Sequence, residues 1–506
     1  MLSAVKTEIA CKRKELLRMI TRRDFIASSA LATAGTLLRT QSMLPPLAPY
    51  GALPSPRQLQ WQALETYSFL HFTVNTFTNK EWGYGDENPN VFNPTDFDAD
   101  AIVSALKDGG MKGVVLTCKH HDGFCLWPTQ STDHSIRFSS WQNGKGDVVR
   151  DISNAARQHG LKFGVYVSPW DRNNAAYGTS AYLPIYRQQI TELLSNYGPV
   201  FEVWFDGANG GDGYYGGAHE KRHIDAQIYY DWPRTYEIVR RLQPDAVIHG
   251  GDKDADVRWV GNEQGYAGET CWATFTPDNS VDGGTTNQLM TGTPHGSRWL
   301  PAECDVSIRP GWFWHEAEDS KVKTPQQLMD LYLKSVGRGA SLLLNVPPNS
   351  KGLLSPPDIA SLQGFHRTQQ AAFATNLATR AKFHGSHTRR KDHRFGPSNL
   401  IDGDPETFWA TDDAVTTPTL ELTFRDSVRF NLIRLREATQ LGQRIESFEV
   451  EARRDGAWAQ IAQGTGIGSC RLLSLAAPME TKRVRLRVTA PVCIALAEFG
   501  LYLESL

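Results

Sequence analysis

From about residue 60 to 355, short runs of β-branched and aromatic residues alternate with stretches whose apolar positions recur at helical spacing. The strand-like runs are 68–77, 113–121, 162–170, 201–207, 246–251, 257–263 and 341–347, and helical patterns cover 98–107, 148–159, 183–196 and 229–242. Glycines close two of these helices, at Gly109-Gly110 and at Gly160. Alternation over some 300 residues predicts an α/β fold of the (β/α)8-barrel type. An open doubly wound sheet would need a Gly-rich phosphate loop after the first strand, and none follows residue 77. Around residue 380 the pattern changes. A long polar helix is expected over 358–381, followed by short runs at 419–424, 430–437, 448–452, 459–462 and 483–488 between turn signals. That spacing predicts an antiparallel β-sandwich. The expected domains are therefore 57–380 and 381–506, preceded by a non-globular segment, 1–56.

Composition narrows the picture. Lys and Arg number 53 against 55 Asp and Glu, a formal net charge of -2, which argues against a cationic nucleic-acid binder. No run reaches the roughly 18 uninterrupted apolar residues of a membrane span. Arg22-Arg23-Asp24-Phe25-Ile26 leads into the small apolar run 27–38 and resembles a twin-arginine export signal, with Met19 as an alternative start and 44–56 as a linker. A periplasmic or secreted location is expected. Six of the seven cysteines lie beyond this leader, scattered and without metal-ligand spacing, and are expected as free buried thiols.

In a barrel the chemistry gathers at the C-terminal ends of the strands. Reading each run to its end gives His71 and then Glu81-Trp82-Gly83, followed by Lys119-His120-His121-Asp122-Gly123-Phe124. Tyr166 comes next, then Val203-Trp204-Phe205-Asp206-Gly207 and Arg258-Trp259-Val260-Gly261-Asn262-Glu263. Neighbours on a strand point to opposite faces, so His120 and His121 are not expected to share one ion, and no active-site metal is expected. The set describes a polar bowl with two separated acids, several imidazoles and several indoles. Glycosidic-bond cleavage needs such a set: one carboxylate faces the anomeric centre while a second moves the proton of the leaving oxygen.

These motifs resemble the α-L-fucosidases of glycoside hydrolase family 29. The segment Trp299-Leu300-Pro301-Ala302-Glu303-Cys304-Asp305-Val306-Ser307-Ile308-Arg309-Pro310-Gly311-Trp312 adds to the likeness, which runs in order from about His71 to Pro348. Gly261-Asn262-Glu263 and Ser307-Ile308-Arg309-Pro310-Gly311-Trp312 are similar to the subgroup that prefers α-1,3/1,4-linked fucose. The resemblance implies a retaining exo-hydrolase without a catalytic cofactor, acting on fucosylated oligosaccharides or glycoconjugates. Asp206 would be the nucleophile and Glu263 the acid/base, with Glu269, Glu303 and Asp305 as competitors for the second role. His71, Glu81, Trp82, His120, His121, Tyr166 and Trp204 would bind fucose, while Glu303 and Trp312 would meet the sugar beyond it. Arg309 is open between a site role and a buried carboxylate partner.

The stretch from Phe383 resembles a discoidin or factor 5/8 C-type sandwich, through Asn399-Leu400-Ile401-Asp402-Gly403-Asp404-Pro405-Glu406-Thr407-Phe408-Trp409 and Ala497-Glu498-Phe499-Gly500-Leu501. Asp404 and Thr407 are candidate ligands for a structural calcium, against an ion-free Asp-Gly turn. Two other functions compete: a fucosidase of broad or α-1,2 preference, and an inactive fucose-binding lectin. Linkage and oligomeric state stay open at this level.

Overall fold

The structure, a computed structural model, describes residues 47–207, 210–280 and 283–504, so the expected leader lies outside the described residues. Eight parallel strands form the first sheet: β1 (Thr66–Leu70), β2 (Gly113–Lys119), β3 (Lys162–Val167), β4 (Glu202–Phe205), β5 (Val247–Gly250), β6 (Arg258–Trp259), β7 (Ala302–Ser307) and β8 (Ser341–Asn345). They run in the order β5-β4-β3-β2-β1-β8-β7-β6, and a parallel bridge from His249 to Val257 brings the two ends together. β1, β2, β4, β7 and β8 are buried at every position, as strands covered on both faces must be. Tyr67, Phe69, Val115, Tyr166, Trp204, Val247 and Leu343 pack together in one cluster. Trp61 joins it from the helix Pro56–Gln62, which is started by a Ser55–Gln58 capping box and a proline in its first turn. The helix Val148–His159 ends at Gly160, whose φ of 74° is the left-handed cap expected there.

The eighth strand, β7, is absent from the runs read in the sequence. Its pattern is inverted: Ala302, Cys304 and Val306 pack in apolar clusters, while Glu303, Asp305 and Ser307 alternate with them on the other face, all six buried. The first run also stops early, at Leu70, and Val74–Thr78 becomes a short helix whose cap, Thr73, accepts the Asn75 N–H. The long helix spans Pro356–Phe373 and does not reach 381. Among the described residues no helix is long and apolar enough to cross a membrane.

The second sheet is antiparallel: β9 (Ala381–Gly385), β10 (Trp409–Ala410), β11 (Thr419–Glu437), β12 (Ser447–Arg454), β13 (Ala457–Thr465), β14 (Arg471–Thr489) and β15 (Ala495–Tyr502). Its order is β10-β15-β11-β14-β12-β13, with β9 on β11. The runs expected at 419–424 and 430–437 are one 19-residue strand, β11, pairing with β9 in its first part and β15 in its second. The exposed residues Arg425, Asp426 and Ser427 look like a turn but sit at a shift in register against β14. In the Asp402–Thr407 loop, Asp402 accepts the Asp404 N–H (2.9 Å) and the Thr407 hydroxyl (2.6 Å), and Asp404 accepts the Glu406 N–H (2.9 Å). The expected calcium ligands Asp404 and Thr407 are thus engaged within an Asx-turn loop, and no group of three or more His, Cys, Asp or Glu side chains among the described residues is arranged to hold a metal.

The sandwich completes the barrel's outer core, for Leu432, Cys470, Leu472 and Tyr502 belong to the same apolar cluster as the barrel helices. Arg436 of β11 pairs with Glu65, just before β1, at 2.6 Å. Desolvation raises the Glu65 carboxyl, but Arg436, Lys112 and Arg434 more than offset it and hold its pKa down to about 2. A depressed carboxylate stabilises the folded state above its ordinary pKa and loses that contribution as pH falls toward the folded value. Glu65→Gln is therefore expected to lower the thermal midpoint by several degrees at pH 7. The gap to wild type should narrow as pH falls from about 4.5 toward about 2 in thermal scans.

Candidate active site

The C-terminal ends of the strands open into a cavity of about 350 Å3. Its lining includes His71, Glu81, Trp82, His120, His121, Tyr166, Trp204, Asp206, Glu263 and Trp312, so ten side chains singled out in the sequence meet in one place. The eleventh, Glu303, is missing from the lining.

Three in-register positions of adjacent parallel strands make the floor. Tyr166 pairs with Trp204, and Trp204 with His249, so their rings stack across β3, β4 and β5. The Tyr166 and Trp204 rings lie 5.5 Å apart at 23°, and Trp204 and His249 lie 4.1 Å apart at 13°. Adjacent strands sit about 4.8 Å apart, which is a natural stacking distance for flat side chains. Asp206 follows the last residue of β4, at the rim of this stack. Tyr166 donates its hydroxyl to Asp206 Oδ2 at 2.8 Å, and His121 Nε2 is 3.7 Å from the same oxygen. The Asp206 side chain is 28% exposed, open enough to face a ligand.

The histidine wall comes from the ends of β1 and β2. β2 stops at Lys119, so His120 and His121 leave strand geometry and both face the cavity, contrary to the alternation expected for them. His71 Nδ1 is 2.9 Å from Asn345 Oδ1, and His121 Nδ1 is 2.7 Å from Ser168 Oγ. Burial lowers the pKa of all three imidazoles, with His71 brought down to about 4. Neutral imidazoles can both donate to and accept from hydroxyl groups. Lys119 points away from this wall and is held by Asp171, Tyr182 and Gln189.

Glu263 stands exposed at the lip, four residues past the end of β6. Desolvation of its carboxyl raises its pKa; the Trp312 indole, donating at 3.4 Å, pulls it down, and the charges of Asp206 and Glu81 push it up again. The net shift is upward. Trp312, expected as a platform for the next sugar, lines the cavity, packs its ring 5.1 Å from His71 and holds Glu263. Glu81 fixes that segment, accepting the Trp312 N–H at 2.7 Å and pairing with His315 at 2.6 Å. A side chain at position 311 would meet Glu81 Oε1 at 2.5 Å, which explains the glycine there. Trp82 is 55% exposed at the mouth, edge-on to His121 and Trp170.

The competitors for the acid role separate by position. Glu303 is completely buried under the floor, where it accepts from Trp204 Nε1 at 2.7 Å and from the Tyr67 hydroxyl. Fully buried and outside the lining of this cavity, it is not among the side chains that face a substrate there, which corrects its expected place. Glu269 is exposed outside the pocket, its carbonyl oxygen bound by Arg471 of the sandwich. Asp305 lines the pocket but is only 4% exposed and accepts from Trp259 Nε1 at 2.8 Å; burial and the nearby Glu303 and Glu263 push it far above the ordinary range. Arg309 is the buried carboxylate partner, paired with Asp358 at 3.0 Å and Asp319 at 2.7 Å. His249 was missed in the sequence, and Asp305, read there as a competitor for the acid role, does line the pocket. Only their register on β5 and β7 places them at the pocket.

A family model described as alpha-L-fucosidase matches residues 55–367, the whole barrel, and one described as F5/8 type C domain matches residues 382–499. The chain belongs to the α-L-fucosidases of glycoside hydrolase family 29. It is 43% identical over 489 residues to "Alpha-L-fucosidase 1" of Arabidopsis thaliana, covering 95% of this chain and 92% of that one. Among solved structures, a glycoside hydrolase 29 member from an unknown rumen bacterium superposes with a TM-score of 0.80 at 40% identity, covering 90% of this chain and 78% of that one. A Ruminococcus gnavus family 29 fucosidase in complex with fucose gives 0.83 at 31% identity, covering 91% and 97%. As an α-L-fucosidase, the protein is a glycoside hydrolase whose substrates are fucosylated glycans and whose catalysis requires no cofactor.

Proposed function

We propose that this fucosidase removes terminal α-1,3/1,4-linked L-fucose by double displacement, with Asp206 as nucleophile and Glu263 as acid/base. The observation that carries the reading is the contrast between two acids facing one cavity. Asp206 receives a hydrogen bond from Tyr166 at the floor and faces the pocket as a fixed acceptor, whereas Glu263 at the lip has a raised pKa and holds its proton to higher pH. Attack by Asp206 on the anomeric carbon forms a fucosyl ester as Glu263 passes its proton to the departing oxygen. Glu263 then takes a proton from water as that water breaks the ester. Around the sugar, His71, His120, His121 and Tyr166 offer the hydroxyl partners, and Trp204 and Trp82 supply flat apolar walls.

The branched-linkage preference is supported by the cavity's extension beyond the two acids to Lys253, Trp259, Phe275 and Pro277, which leaves room for a second sugar. A 3- or 4-fucosylated N-acetyllactosamine is expected to be cleaved with higher kcat/KM than an α-1,2-fucosyl-galactose, measured by fucose release from purified protein. The reverse order sinks the linkage assignment while leaving the family intact. The export reading rests on Arg22-Arg23. Replacing both by Lys is expected to keep the full-length protein in the cytoplasmic fraction, and unchanged fractionation refutes it.

A further inference from the structure

Beneath the pocket, inside the barrel, lie two carboxyl groups that the proposed mechanism does not use. Glu202 of β4 and Glu303 of β7 are both 0% exposed, and they face each other below Trp204. Their surroundings differ. Glu303 accepts hydrogen bonds from Trp204 Nε1 at 2.7 Å and from the Tyr67 hydroxyl, and His249 Nε2 stands 3.5 Å from its Oε1. Neither Glu202 oxygen accepts a hydrogen bond, and Glu303, Trp61 and Tyr67 are the polar side chains around it. Two carboxylates in contact in a dry interior cannot both ionise, and a shared proton goes to the one with fewer donors. We infer that Glu303 is the ionised member of this pair and Glu202 its proton donor, and that the Glu303 anion positions Trp204 and sets a fixed negative potential beneath the fucose pocket.

Several features agree. Burial drives Glu202 well above the ordinary carboxylate range, with Glu303 as the next largest cause. A buried anion is tolerable only when donors surround it, and an indole, a phenol and an acid O–H supply three. The consequence for catalysis follows from the barrel's low polarity, where a fixed charge acts with little screening. Glycosyl transfer develops positive charge on the sugar ring, so an anion set below the floor favours the transition state over the neutral ground state. Glu303 touches no substrate. It is a positioning residue, acting through Trp204 and through its field.

This rests on the reading of the cavity as the fucose site, and the test keeps the two apart. The probes are L-fucose, which is neutral, and a fucose-configured iminosugar, which is a cation when bound; affinities are measured by calorimetry on wild type, Glu202→Gln and Glu303→Gln. Glu303→Gln is expected to weaken the cation by at least about tenfold and L-fucose far less, with kcat falling more than KM rises. Glu202→Gln is expected to leave both affinities nearly unchanged, because a carboxamide N–H replaces the acid's O–H. Parallel losses of both ligands in Glu303→Gln, or selective loss of the cation in Glu202→Gln, overturn the inference. Should Glu303→Gln fail to fold, infrared difference spectra decide the proton's place: wild type minus Glu202→Gln must show one lost protonated-carboxyl band while that of buried Asp305 cancels, and a difference spectrum without such a band refutes the assignment. A wild-type protein that neither binds L-fucose nor hydrolyses fucosides refutes the pocket's reading instead.

Discussion

Asp206→Ala loses hydrolysis of every fucoside, on the order of 10⁴-fold or more in kcat, the scale on which enzymes lose activity without their nucleophile. The side chain is 28% exposed and sits past the end of β4, so removing it leaves no buried cavity and the thermal midpoint should stay near that of wild type. Tyr166 loses its acceptor on Asp206 but remains at the pocket surface. The stereochemistry is the sharper check. Double displacement releases α-L-fucose first, which proton NMR of the initial product resolves before mutarotation. A first-formed β anomer would make Asp206 a general base and the enzyme an inverting one.

The second large effect belongs to Glu263. Glu263→Ala should lower kcat/KM by about 10²–10⁴-fold on natural oligosaccharides, whose leaving oxygen needs a proton, and by much less on activated aryl fucosides. A pH profile supplies an independent readout. Because the Glu263 pKa is raised, the protonated form persists to higher pH than an ordinary glutamic acid would allow. Wild-type kcat/KM should therefore fall on the alkaline side as pH rises through that raised value, and the limb should disappear in the variant. Equal losses on both substrate types would reduce Glu263 to a binding group and turn attention to Asp305, the other acid that lines the cavity.

Both tests concern residues visible in the chain before any fold was known, and the reason lies in where barrels keep their chemistry. A strand end followed by a polar residue is a local signal, so His71, His120, Trp204-Phe205-Asp206 and Glu263 could be picked out along the chain. The signal failed where the strand faced an unusual interior. β7 carries Glu303, Asp305 and Ser307 on alternate buried positions, and a pattern of polar inward residues does not read as a strand. It failed again where a strand ended sooner than its composition suggested, which is how His120 and His121 both turn into the pocket.

What the sequence determined by itself is the fold class, the order of barrel and sandwich, and the identity of ten of the pocket's side chains. Each depends on short-range periodicity and on motifs that are contiguous in the chain. Only the tertiary structure decided which acids meet. Glu263, Glu269, Glu303 and Asp305 are equivalent as carboxylates along the chain, yet one stands at the lip, one lies outside the pocket, one is sealed under Trp204 and one is bound by Trp259. Register between parallel strands made that division, since it stacks Tyr166, Trp204 and His249 and leaves Glu303 beneath them. The protonation of a carboxyl follows from its burial and its donors, and those are set by residues as far apart in the chain as Tyr67 and Glu303.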